Sequence, residues 1–274
     1  MVLIRHERLE EDPLAYRVFG VTRDKSSWRA ADVLRGARFT DDPKRTHHLW
    51  QLASRGYYAE QAGLVAAATL AAHTEDAGFR FGLALAAADE ARHADALYQY
   101  ARAIGGEPED CAEIVQPLDD ALTALPHMGR ALVHTMLEGV AADEFLLLRR
   151  QLADDPLGRL YRLIRRDEVQ HVAIGLTYLA RASATPEGKQ EWEAHADEWH
   201  AAGMRLIYLD AMARMHADDI GVSPAALESW FLRRHHDRLR AAGIALREEV
   251  NPSEDQEGRD QGGDPRHLQV LPAG

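Results

Sequence analysis

The sequence predicts an all-α fold, a four-helix bundle extended by two further C-terminal helices. Strand-like alternation is nearly absent, four long stretches repeat apolar residues at helical spacing, and the breaks between them carry Asp, Gly and Pro. Residues 1–42 show no long period and are expected to pack on the bundle as an arm. Asp42 and Pro43 then read as N-cap and first helical residue. Alanine, leucine and aromatics continue unbroken over 43–73, a helix of about 45 Å at roughly 1.5 Å per residue. A short turn near Thr74–Gly78 opens the second core segment, 74–104, which Gly105-Gly106 stops. Pro108, Pro117 and Pro126 mark the next stretch as a connection long enough to cross a bundle. The third helix covers about 127–153, Asp154-Asp155-Pro156 breaks it, and the fourth covers about 157–182. Helices over about 186–217 and 223–246 complete a helical domain of residues 43–246. Residues 247–274, rich in Gly, Asp, Glu and Pro, read as a mobile tail.

Composition narrows the function. The 274 residues carry 32 Lys and Arg against 44 Asp and Glu, a net charge of −12, which argues against nucleic acid as the main partner. The single cysteine, Cys111, leaves no intramolecular disulfide and no cysteine-built zinc or iron–sulfur site, so a cytoplasmic setting is expected. The longest apolar runs, such as Leu64–Ala72, fall short of the roughly 18–20 residues that cross a bilayer, and no membrane partner is expected. Fourteen histidines among so many carboxylates are the feature left to explain.

A duplicated pattern explains part of it. The second helix carries Asp89-Glu90-Ala91-Arg92-His93 and the fourth carries Asp167-Glu168-Val169-Gln170-His171. Helix positions three apart share a face, so each Glu and its His can point at one ion. Glu60 stands thirty residues before Glu90, and Glu138 thirty before Glu168. The midpoints, residues 75 and 153, fall at the two expected turns, so antiparallel hairpins bring all four carboxylates to one level. Four buried carboxylates would take up protons unless cations compensated them, and two divalent ions would balance their charge. Carboxylate and imidazole without thiolate suit iron or manganese, and affinity order alone leaves zinc open. Asp89 and Asp167 are placed to orient the imidazole of the opposite hairpin through its other nitrogen. Glu144 points away from the face of Glu138 and is set aside as a ligand; His134, one turn before Glu138, reads as a satisfied core histidine ahead of a partner to the metal ligands.

At these residues, over about 43–182, the sequence resembles the ferritin-like diiron-carboxylate proteins. Around Glu90 it looks like monooxygenase hydroxylase subunits, ribonucleotide reductase small subunits and related bacterial diiron oxygenases. The resemblance implies that Glu60, Glu90 and His93 bind one iron and Glu138, Glu168 and His171 the other, with one or two glutamates bridging. Departures separate it from individual members. The reductase radical tyrosine, four residues after the first ligand histidine, is Leu97 here; the extra histidine of arylamine N-oxygenases is Ile164; and the threonine of multicomponent monooxygenases and acyl-carrier-protein desaturases is replaced by Ala141 and Ala142.

The expected activity is therefore that of a non-haem diiron oxygenase or oxidase. Two iron ions, cycling between Fe2+ and Fe3+ and preferred over manganese, would use O2 to hydroxylate, N-oxygenate or desaturate a small organic substrate, free or carrier-bound. No dinucleotide motif or cluster-binding cysteine set is present, so an external reductase or ferredoxin is implied, and a homodimer is also expected. The competing reading is a ferritin- or rubrerythrin-like iron oxidase or peroxide scavenger; a structural metal staple in an interaction protein ranks third. Tyr57, Tyr58, Tyr98 and Tyr100 are read as aromatic packing ahead of electron relay. His47, His48, His195, His200, His235 and His236 are read as solvated surface.

Overall fold

The computed structural model describes residues 28–111, 124–207, 212–214, 216–217, 221–244 and 246, together with 14, 17, 18 and 21. The expected tail 247–274, most of the arm before Trp28 and the middle of the crossing connection lie outside the described residues. Among these residues the helices are α1 (Ala30–Leu34), α2 (Pro43–His73), α3 (Ala77–Ile104), α4 (His127–Gln151), α5 (Pro156–Ala182), α6 (Pro186–Ile207) and α7 (Pro224–Ala241). α2 packs along α3 and α4 along α5, giving two hairpins. α3 meets α5 and α2 meets α4 between them, and α6 and α7 lie against α4. The fold is a ferritin-like helical bundle. No helix among the described residues is long and apolar enough to cross a membrane.

Local chemistry sets the helix ends. Asp42 accepts a hydrogen bond from Lys44 N at 3.0 Å, with Pro43 in the first turn. Asp76 accepts from Phe79 N at 2.7 Å, so α3 starts at Ala77 and the turn keeps Thr74–Asp76. Asp155 accepts from Leu157 N and also from the buried Tyr100 hydroxyl at 2.7 Å, fastening the second hairpin's turn to α3. Tyr100 is thus a packing and capping group. α4 ends at Gln151, two residues before the expected stop. α7 ends at Ala241, short of the expected 246, because Gly243 adopts φ +72° and Ile244 N turns back to Leu239 O.

The core is split by a polar layer. Leu49, Leu97, Leu157 and Tyr161 belong to an apolar cluster at one end of the bundle. Leu70, Leu83, Leu132 and Leu179 belong to a second cluster at the other end. Glu60, Glu90, Glu138 and Glu168 fall between them on their respective helices, with apolar layers above and below to shut water out. A third cluster, including Leu147, Leu227 and Phe231, seats α7 on α4. Asp143 of α4 is buried beneath α7 and is held there by Arg234 at 2.7 Å and by Arg238.

The expectation of solvated histidines fails at the α6–α7 contact. His235 is buried, and its Nε2 lies 3.1 Å from that of half-buried His200, with nearly parallel rings. The signal was absent from sequence because the two residues meet only when α7 folds back across α6. Burial, then His200, His236 and Arg238, push the His235 pKa down to about 3; burial and His236 push His200 down to about 4, against Asp197. Between these values and about 6.5 the unfolded chain takes protons that the fold refuses, so both groups make stability fall as pH drops. His235→Asn removes one such site. The drop in urea midpoint between pH 7 and pH 5 is expected to be smaller in the variant than in the parent chain; an equal drop would contradict this assignment.

Candidate metal centre

The two hairpins bring Glu60, Glu90 and His93 together with Glu138, Glu168 and His171, and all six are buried. His93 Nδ1 lies 3.1 Å from Glu168 Oε1, 3.3 Å from Glu60 Oε2 and 3.7 Å from Glu90 Oε2. His171 Nδ1 lies 2.9 Å from Glu90 Oε1, 3.2 Å from Glu168 Oε2 and 3.3 Å from Glu138 Oε2. Donors bound cis at about 2.1 Å to one octahedral ion stand about 3 Å apart, which is the spacing seen here. Glu90 and Glu168 each offer one oxygen to each imidazole, so two four-residue groups form that share both glutamates. Glu60 and Glu138 sit at the outer ends.

The donor set fits two cations on a second count. Glu90 Oε1 and Glu168 Oε1 are fully buried and make no hydrogen bond, although an imidazole nitrogen is near each. Buried carboxylate oxygens left this way are costly unless an ion lies between the groups. The carboxyls divide accordingly. Burial, then Glu90, push Glu60 well above its usual range, and burial with Glu90 and Glu138 raises Glu168 to about 8. Burial also opposes ionisation of Glu90, but the neighbouring Glu60, His171 and His93 side chains hold it well below the ordinary range.

Outside this cluster the hairpins cross-brace one another. His171 Nε2 lies 3.3 Å from Asp89 Oδ2, and His93 Nε2 lies 3.4 Å from Asp167 Oδ2. Each aspartate thus serves the imidazole of the opposite hairpin, which leaves Nδ1 facing the carboxylates. Arg92 donates to Asp89 at 2.7 Å and to Asp167 at 2.9 Å, tying the two aspartates into one unit. Burial works against an ionised Asp167, but hydrogen bonds from His93, Trp28 and Arg92 outweigh it and hold the pKa at about 2.

Three contributors were missed or misread from sequence. Trp28 donates Nε1–H to Asp167 at 2.6 Å, stacks near His93 with an interplanar angle of 13°, and carries the Arg92 guanidinium over its ring. It stands 139 residues from Asp167, in a stretch without periodicity, so no local signal marked it. Arg92 lay within the first motif but was not assigned a role. His134 was read as a satisfied core histidine; it is buried, yet its Nε2 makes no hydrogen bond while lying 3.0 Å from Glu138 Oε1. Glu144 instead accepts from His216 at 2.9 Å, away from the cluster. Two glycines near the cluster serve close packing: a Cβ at Gly63 would lie 3.1 Å from Glu90 Oε2, and one at Gly56 only 2.7 Å from Leu97.

Helix order and cluster together define a ferritin-like bundle with a candidate two-metal carboxylate site. No protein-family model matches the sequence, and no curated protein matches it. Among solved structures, the chain is similar to an R2-like ligand-binding oxidase bearing a tyrosine-to-phenylalanine substitution and an aerobically reconstituted Mn/Fe cofactor. That match has a TM-score of 0.64 and 16% identity, covering 88% of this chain and 99% of the other. It is also similar to a protein assigned as a class I ribonucleotide reductase from Bacillus halodurans, with a TM-score of 0.65 and 13% identity over 85% and 93% of the two chains. These likenesses carry the fold.

Proposed function

We propose that this chain is an O2-dependent oxidoreductase with a carboxylate-bridged dinuclear centre, of two irons or of manganese and iron, that oxidises a small organic substrate. The observation that carries the reading is the sharing of Glu90 and Glu168 between both imidazoles. Glu60 and His93 would complete one ion's donors, and Glu138 and His171 the other's. Two redox-active ions held there would supply dioxygen activation and electron storage, chemistry that side chains alone lack. The Mn/Fe cofactor of the R2-like ligand-binding oxidase keeps the mixed pair beside the diiron pair.

The chain's own residues prepare the site. Asp89 and Asp167 fix both imidazoles, Arg92 locks the aspartates, and the apolar layers exclude water. One turn after His93, where the resemblance placed a reductase radical tyrosine, Leu97 is fully buried and packs over Gly56. No oxidisable side chain stands there, which favours work on a bound substrate over storage of a radical on that turn.

The test is anaerobic loading with ferrous iron, or with ferrous iron and manganese together, followed by mixing with O2. Two ions per chain and a transient absorption whose decay quickens with an organic substrate would support the reading. Absence of bound metal would end it. Sustained oxidation of excess ferrous iron with no effect of any organic compound would replace it with the iron-oxidase alternative.

A further inference from the structure

The chain carries a net charge of −12, and several of its arginines meet acids. Arg92 meets Asp89 and Asp167, Arg181 meets Asp76, and Arg234 and Arg238 meet Asp143. One face gathers several that do not. Arg149 and Arg150 end α4, and Arg159, Arg162 and Arg165 follow on α5 across a short turn. Among the described residues none of these five has a carboxylate within ion-pair distance.

The five form one neighbourhood. Burial, then Arg150 and Arg162, lower the Arg149 pKa, and burial, then Arg149, lower that of Arg165 against the opposing pull of Asp143, so these guanidiniums repel one another across the α4–α5 seam. Arg165 Nε is buried without a hydrogen bond. At about 100° per residue, Arg159, Arg162 and Arg165 span about 120° of α5, and the outward Val169, 41% exposed, falls within that arc. Arg150, Arg159 and Arg162 are exposed. Unrelieved like charge on an acidic protein costs stability, and a partner of opposite sign relieves it.

We propose that this arginine face is the docking surface for an acidic one-electron carrier protein that reduces the metal centre. The inference rests on the oxidoreductase reading above, which requires electrons that the chain has no cofactor of its own to supply. Position supports the choice of partner. Glu168 and His171 project from the inner side of the same helix whose outer side carries the arginines, so about one helix diameter, roughly 10 Å, separates face and centre. Val169 offers an apolar contact beside the charges, matching the apolar core and polar rim of protein interfaces. Each encounter passes one electron: the carrier is oxidised by one, the centre reduced by one, and two encounters take a trivalent pair to a divalent pair.

The test uses the full chain and a reduced plant-type [2Fe–2S] ferredoxin as probe. Binding is measured by titration calorimetry on the metal-loaded and metal-free protein, at low and at high salt. Arg159→Glu with Arg162→Glu is compared with Lys189→Glu plus Arg205→Glu on α6, which changes net charge equally. The α5 pair is expected to weaken ferredoxin binding at least about tenfold at low salt, with the difference collapsing at high salt, and to slow ferredoxin-driven metal reduction in proportion. The α6 pair should stay close to the parent. Equal loss in both variants, or none in the α5 pair, overturns the proposal. So does tighter binding of single-stranded DNA than of ferredoxin to the same face. Restored ferredoxin binding in the α5 variant after removal of residues 247–274 would also overturn it, by assigning the charge effect to the chain's acidic C-terminal segment. Reduction by a small neutral reductant is run alongside. If it too fails to yield an O2-reactive protein, the oxidoreductase reading falls, while the binding data still judge the face.

Discussion

Replacing Glu90 or Glu168 by alanine is expected to abolish the two-metal centre, whereas Glu60→Ala should leave one ion bound. Each shared glutamate offers an oxygen to both imidazoles, so its loss strips a donor from both positions at once. Glu60 contributes to only one of the two groups. Loss of groups behind metal ligands alone typically costs 10- to 100-fold in metal affinity or activity, so loss of a shared ligand should cost more than about a hundredfold in O2 consumption. Metal analysis after desalting and stopped-flow measurement with O2 check both parts. Two ions retained in Glu168→Ala would refute the shared-ligand assignment. Circular dichroism distinguishes this from misfolding: helicity should persist, because removing one buried carboxylate relieves repulsion among the remaining three.

Metal removal is expected to produce the second-largest effect, a loss of thermal stability that grows with pH. Ions at about a hundred times Kd contribute about 2.7 kcal/mol per site, so two sites correspond on the order of 10–20 °C in Tm for a chain of this size. The pH dependence follows from the carboxyls. In the metal-free fold Glu168 is raised from 4.5 to about 8, Glu60 is raised well above 4.5, and His93 and His171 lie well above 6.5. For both histidines burial alone would lower the pKa; the surrounding carboxylates overcome it. The two carboxyls therefore hold more protons folded than unfolded from about pH 4.5 upward and the two histidines from about 6.5 upward, so the cluster's contribution to metal-free stability falls as pH rises toward 8. Bound cations displace those protons and flatten the slope. Melting curves of loaded and chelated protein at pH 5 and pH 8 measure the difference. A gap in Tm that does not widen with pH would contradict the proton-filled metal-free cluster.

Much of the site was legible because a helix converts spacing into direction. Glu90 with His93, and Glu168 with His171, needed only the rule that positions three apart share a face. Glu60 and Glu138 needed one further step, a turn at the midpoint. The capping signals of Asp42 and Asp155 were local in the same sense, since an N-cap bonds an amide two or three residues ahead.

Other features depend on contacts that no spacing encodes. Trp28 reaches Asp167 from a stretch without periodicity, and His235 meets His200 only after α7 crosses α6. The early end of α7 turned on Gly243 taking a left-handed conformation, which the preceding alanines concealed.

By itself the sequence determined the helical hairpins, the level at which four glutamates and two histidines meet, and the demand for cations to balance them. Backbone periodicity and the cost of burying charge are enough for that. Only the tertiary structure decided that Glu90 and Glu168 face both imidazoles, that each aspartate braces the opposite hairpin, and that Trp28 and Arg92 lock the aspartates. The rotation of one hairpin against the other is set by side-chain packing across the bundle, and hydrogen bonds a few ångströms long respond to that rotation rather than to any interval along the chain.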